Sequence, residues 1–125
     1  MDVTEQEIIE LKNFILRLNS VKDSVIVVEG KKDSTALKKL GCSSKVLEFH
    51  KFGGMINFTD SVAKYKKIIL FFDRDRKGRY LTKRTIELLQ RRTSIDLSYK
   101  KELHAITKGK IRFTEQLVCY ESFLI

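Results

Sequence analysis

Two apolar runs, Val25–Val28 and Ile68–Phe72, constrain this chain more than any other feature. Neither alternates between apolar and polar residues, as a strand with one wet face would. Continuous apolar strands of this length are covered on both faces, the situation of a parallel sheet sandwiched between helices. Both runs also end in acid. Glu29-Gly30 follows the first, and Asp73-Arg74-Asp75 follows the second.

Helix signals fill the intervals between these strands. Thr4 with Glu7 has capping-box spacing, and Ile8, Leu11, Ile15 and Leu18 then recur at helical period, which predicts a helix over 5–18. Asp33 or Ser34 can cap a short helix running to Leu40 and closed by Gly41, and Val46–Phe49 is expected to form a second strand. Past the Gly53-Gly54 turn, 57–66 predicts a helix, and apolar positions 81, 85/86, 88 and 89 predict another over 80–92. A short strand is expected at 95–97, a helix capped by Ser98 through Ile106, a strand at 111–113, and a last amphipathic helix opening at Thr114. Strands alternate with helices throughout. The expected class is therefore α/β, with a mainly parallel central sheet, helices on both faces, and one domain over 1–125.

Composition narrows the function. The longest apolar run falls far short of the roughly 18–20 residues of a membrane span. The amino terminus, MDVTEQEIIELKN, is acidic where a signal peptide is basic, so a cytoplasmic protein is expected. Cys42 and Cys119 lack a neighbouring ligand pair at zinc spacing. The formal net charge is +9, pointing to a polyanionic partner such as nucleic acid. Much of that excess lies in 73–92, where eight bases stand against three acids.

In an open parallel sheet, ligands bind beyond the carboxyl ends of the strands. Glu29, Asp73 and Asp75 lie at such ends, and they meet if the first and third strands are neighbours. Residue alternation turns both aspartates to one side and Arg74 to the other. Clustered carboxylates raise one another's pKa unless a cation neutralises them, and all-oxygen ligands select Mg²⁺ or Mn²⁺. Such an ion keeps open positions for phosphate oxygens. Lys31, Lys32, Arg74, Arg76, Lys77, Arg79, Lys83 and Arg84 are placed to grip the rest of a nucleic-acid backbone.

A strand ending in Glu-Gly, followed by a second ending in Asp-x-Asp-x-x-Gly, resembles the Toprim domain of topoisomerases, bacterial-type primases and the maturase of 5S ribosomal RNA. The resemblance runs from Ser24 to about Arg92 on EGKKD and DRDRKG, and is strongest to small stand-alone Toprim proteins of archaea and bacteria. It implies that Glu29 is a general acid or base and metal partner, and that Asp73 and Asp75 bind Mg²⁺. Gly30 and Gly78 match the family's turn glycines, and Asp33 matches a secondary acid of the first motif. A further family acid has Asp96 as its best counterpart. The implied activity is Mg²⁺-dependent phosphodiester hydrolysis on RNA or DNA, with RNA favoured. The alternative is a non-catalytic RNA- or DNA-binding module of a larger processing or repair complex.

Other readings fit less well. A strand-DxD phosphatase of the haloacid dehalogenase type carries its motif after the first strand, whereas 72 residues precede this one. Gly30-Lys31 lacks the earlier glycine and following hydroxyl of a P-loop. Tyr65, Tyr80, Tyr99 and Tyr120 read as packing residues, His50 and His104 as isolated, and Phe71, Phe72, Phe113 and Phe123 as core. Phe49, Phe52 and Phe58, around the Gly53-Gly54 loop with Lys51, are candidates to lie beside bound nucleic acid.

Overall fold

The computed structural model describes residues 2–124, so the two end residues of the expected 1–125 unit lie outside the described residues. Four parallel strands, β1 (Ser24–Val28), β2 (Val46–Glu48), β3 (Lys67–Leu70) and β4 (Ser94–Asp96), form one sheet in the order β2-β1-β3-β4. Pairing of Val27 with Leu70 and of Val28 with Glu48 brings the strands' carboxyl ends to one edge. β1 and β3 are the neighbours that the acid cluster requires.

The doubly apolar strands are explained by what covers them. On one face, Ile26, Val28, Ile69 and Phe71 pack with Leu11, Phe14 and Leu18 of helix α1 (Glu5–Ser20), Ala36 and Leu37 of α2 (Lys31–Lys39), and Leu103 and Ile106 of α5 (Ser98–Ile106). On the other, Val25, Val27, Ile68, Leu70 and Phe72 pack with Phe58 and Val62 of α3 (Met55–Val62) and Leu81 and Leu89 of α4 (Arg76–Leu89). Burial of two separate apolar layers on one thin sheet is the main stabilising term of the fold.

Several boundaries depart from the sequence reading, each for a local reason. α2 opens at Lys31 with Gly30 as its N-cap, and neither Asp33 nor Ser34 caps it from outside. Asp33 sits in the first turn and accepts the Gly30 N–H through Oδ2 at 3.1 Å. α3 starts two residues earlier than expected and ends at Val62, and β2 stops at Glu48, where a 3-10 turn over Phe49–Phe52 begins. β3 likewise ends at Leu70, although the Phe71 N–H still donates to Val27 O at 2.8 Å. α4 opens four residues before the predicted 80, because Asp75 Oδ1 accepts the Gly78 N–H at 2.8 Å and caps it.

The segment 111–113 is not a strand. Gln116 Oε1 takes the backbone N–H groups of Arg112 and Phe113 at 2.8 and 3.0 Å, so a side chain uses the donors that a ladder would have used. The chain then enters a 3-10 helix, Thr114–Phe123, rather than an amphipathic α-helix. It is anchored from far away. Glu7, 2% exposed, accepts from Lys110 Nζ at 2.8 Å through each oxygen and from the Tyr120 hydroxyl at 3.1 Å. Lys110 holds the Glu7 carboxyl below its ordinary range against the opposing effect of burial.

The aromatic residues also sort differently. Phe49, Phe52 and Phe58 pack edge to face, and Phe49 reaches Phe72 at 5.8 Å between centroids, so this group is core rather than a nucleic-acid surface. Phe71 and Phe72 are buried, Phe113 is half-buried, and Phe123 is 40% exposed. Tyr80 is also exposed, unlike Tyr120.

Candidate functional site

Parallel pairing of β1 and β3 sets Glu29 directly against the chain leaving β3. Glu29 Oε2 accepts the Asp73 backbone N–H at 2.8 Å, a bond across 44 residues that ties the two acidic strand ends together. Asp73 is held in turn. Its Oδ1 accepts the Thr114 N–H at 2.9 Å and lies 3.9 Å from Lys100 Nζ. Lys100 donates to the Thr114 hydroxyl at 2.9 Å, and that hydroxyl lies 3.2 Å from both Asp73 Oδ1 and Phe71 O. Asp75 is fixed as the α4 cap. Each of the three carboxylates therefore has one oxygen committed to a backbone N–H, and the Glu29 and Asp73 side chains also lie within hydrogen-bonding reach of each other.

The electrostatics follow from this crowding. Burial and the neighbouring charges of Asp73 and Asp75 push the Glu29 carboxyl up to about 7, against the lowering effect of the Asp73 N–H. Asp33, also buried, is raised for the same first reason. Burial lowers Lys100, and the negative charges of Asp73, Asp33 and Glu29 oppose that shift. Negative charge exceeds what Lys100 balances.

Gly78 has a strict steric role. A Cβ there would stand 1.8 Å from Asp73 O and 2.6 Å from Asp73 C, so the first turn of α4 can close over the β3 exit only with glycine. Gly30 differs, because a Cβ there would meet nothing nearer than His50 Cδ2 at 3.8 Å.

The bases fall into three adjoining hollows. Lys31, Lys32, Lys77 and His50 line a cavity of about 430 Å³ with the acids Glu29, Asp33, Asp73 and Glu115. Arg74 and Arg79 line a second hollow with Asp75, and both also line a cleft of about 520 Å³ that contains Lys83, Lys100 and Asp73. Arg76 is exposed on the first turn of α4. Arg84 does not itself line these hollows but pairs at 2.9 Å with Glu87, a wall residue of the 520 Å³ cleft. Asp96 also stays outside the cluster. It accepts from Ser98 N–H at 2.8 Å and pairs with Lys67 at 3.7 Å.

Three residues enter the site that the sequence did not assign to it. His50, read as isolated, lies two residues past β2, and its Nε2 is 3.0 Å from Glu48 Oε1. Lys100 and Thr114 carry no local signal, because only the tertiary fold delivers them to Asp73.

The Toprim domain family matches residues 24–115, a span that ends just past Thr114. This chain belongs to the Toprim domain family. It is similar to the UPF0292 protein of Pyrococcus furiosus, 29% identical over 86% of this chain and 81% of the relative. It is 33% identical to that of Methanocaldococcus jannaschii, over 79% of each chain. A solved structure of an Aquifex aeolicus protein superposes with a TM-score of 0.69 and 28% identity, over 85% of this chain and 96% of that one. These small relatives agree with a stand-alone Toprim protein. The domain points to a metal-dependent, nucleic-acid-related function, and Toprim domains generally bind Mg²⁺ through acidic residues.

The donor set suits that ion in kind. It offers hard carboxylate oxygens without a soft ligand, and Mg²⁺ is commonly held by one or two carboxylates with water and substrate phosphates completing its shell. Among the described residues, no three acidic, His or Cys side chains are gathered tightly enough to hold a metal ion by themselves. No helix among the described residues is long and apolar enough to cross a membrane.

Proposed function

We propose that this Toprim protein binds nucleic acid, RNA in preference to DNA, and hydrolyses its phosphodiester bonds with Mg²⁺, or Mn²⁺ in its place, held by Glu29, Asp73 and Asp75. The observation that carries this reading is the Glu29–Asp73 bond across β1 and β3, which ties two acidic strand ends together beside Lys31, Lys32 and Lys77, with Asp75 fixed as the α4 cap in an adjoining hollow. On this reading the whole chain, 1–125, is one unit acting in the cytoplasm, with a larger processing complex as its partner.

Glu29, Asp73 and Asp75 would hold the metal, which would supply Lewis-acid polarisation of a phosphate oxygen and a more acidic water. The chain's own groups do the rest. Lys31, Lys32, Lys77 and Arg79 hold the phosphates beside the scissile bond, and Arg74, Arg76, Lys83 and Arg84 attract the flanking backbone. Hydrolysis forms a bond from water oxygen to phosphorus and breaks one phosphorus–oxygen ester bond. Glu29 accepts the water's proton and returns a proton to the leaving oxygen. Lys77 and Arg79 offset the negative charge that grows on the phosphate oxygens. Asp73 keeps its orientation through Thr114 and Lys100.

A second reading rests on the absence of a closed three-ligand group among the described residues. It makes the chain a non-catalytic module whose acids tune Mg²⁺-dependent binding of RNA or DNA. The two separate in one experiment. End-labelled structured RNA, single-stranded RNA and duplex DNA are incubated with wild type or Asp73→Asn in Mg²⁺, Mn²⁺ or EDTA, scoring cleavage and gel shift together. Hydrolysis predicts cutting that EDTA and the variant abolish while the shift survives. A shift without cutting selects the module, and neither cutting nor a shift overturns both readings.

A further inference from the structure

The 520 Å³ cleft between α4 and α5 has a composition that the grip on phosphates does not explain. Its floor is apolar, made by Leu70 and Phe72 at the β3 exit, Ile86 of α4 and Leu97 beyond β4. Cations stand around that floor. Arg74, Lys83 and Lys101 are exposed, whereas Lys100 is drawn in to 13% side-chain exposure. The cleft also includes Asp73, so it opens directly onto the acid cluster. Its volume lies in the range of pockets that enclose a small ring system.

Apolar walls beside a row of cations form the combination that one exposed nucleotide needs: its base leaves water while its phosphate stays paired. A phosphate at Asp73 and Lys100 puts the attached base at the mouth of this cleft. A base stacked inside a duplex cannot enter, because it would first have to leave its stack. Resting on the reading of the acid cluster as a nucleic-acid site, we infer that the α4–α5 cleft holds the unpaired nucleobase of the nucleotide whose phosphate lies at Asp73, which makes single-stranded segments the substrate class. Two of its polar wall groups already bond within the chain, Thr82 Oγ1 donating to Gly78 O at 2.9 Å and Glu87 accepting from Arg84 at 2.9 Å, so AMP and CMP serve as purine and pyrimidine probes of the apolar floor.

The test uses methyl-labelled wild-type protein titrated with AMP and then with CMP in Mg²⁺. In parallel, the affinities of wild type, Ile86→Trp and Thr82→Phe are measured for a short single-stranded oligoribonucleotide and for its duplex. Both variants fill the cleft from α4, and wild-type shifts need no variant to fold. The methyl groups of Leu70, Ile86 and Leu97 should shift saturably with either nucleotide. Single-strand affinity should fall about tenfold in the variants, the scale of losing one stacked base, with duplex affinity unchanged. Silent cleft methyls, or equal losses for single strand and duplex, overturn the inference. If the wild type still binds or cuts nucleic acid in that case, the acid cluster keeps its assignment; if it does neither, the proposed function falls as well.

Discussion

Gly78 and Gly30 look equivalent in sequence, each a short step beyond an acidic strand end, but they face different constraints. At Gly78 a Cβ would collide with the Asp73 carbonyl at 1.8 Å, and the other close atoms are also Asp73 backbone, so no flexible neighbour can yield. Gly78→Ala is expected to cost about 3 kcal/mol, the upper part of the overpacking range, in chemical denaturation. Gly30→Ala, in extended backbone at φ −147°, should melt close to wild type. Glu29 makes a prediction of opposite sign. Its carboxyl ionises at 4.5 ordinarily and at about 7 in the folded protein. Between those values the folded state holds a proton that the unfolded state has lost, so stability falls as pH rises through that window and stays low above it. In EDTA, Glu29→Gln should melt with wild type below about pH 4.5 and at a higher temperature than wild type at about pH 8. Equal melting at both would show that the cluster carries no excess negative charge.

At the scale of elements, α4 shows how one side chain can hold two jobs. Asp75 caps the helix, and in the proposed function it also holds the metal. Asparagine caps as well as aspartate, whereas alanine loses about 1 kcal/mol. Thermal melts should therefore leave Asp75→Asn near wild type and lower Asp75→Ala, while both lose metal-dependent cleavage. The same helix marks the limit of sequence reading. Its apolar period starts only at Leu81, so periodicity put its beginning at 80, four residues late; the cap at Asp75 was visible only once β3 had delivered it. Strands β1 and β3 were legible because continuous apolar runs have few other uses. Segment 111–113 misled because its apolar-basic-apolar alternation mimics a strand while Gln116 consumes the backbone donors. Glu29, Asp73 and Asp75 could be named from strand ends, but Lys100 and Thr114 could not, since nothing in their neighbourhood foretells contact with Asp73.

For the whole molecule, the long-range tie that matters is between its two ends. Glu7 in α1 binds Lys110 and Tyr120, and so secures the segment that carries Thr114 to Asp73. Glu7→Gln breaks a buried ion pair, a change that costs about 3 kcal/mol. It should also speed hydrogen exchange at the Thr114 amide well beyond that at Val27, although it lies far from Asp73 in sequence. Unchanged exchange at Thr114 would show that the segment is held by its packing alone. The net charge of +9 likewise has a structural meaning, because its cations ring a site whose own centre is negative. On the proposed function, a divalent cation fills that centre and a phosphate backbone follows it.

The most direct measurement is Mn²⁺ binding, followed by electron paramagnetic resonance, to wild type, Glu29→Gln and Asp73→Asn without nucleic acid and with a short RNA. One saturable wild-type site, tightened by RNA and lost in both variants, is the predicted result. Wild-type protein that binds no Mn²⁺ even with RNA, or variants that bind it equally well, would contradict the assignment of these carboxylates to a metal.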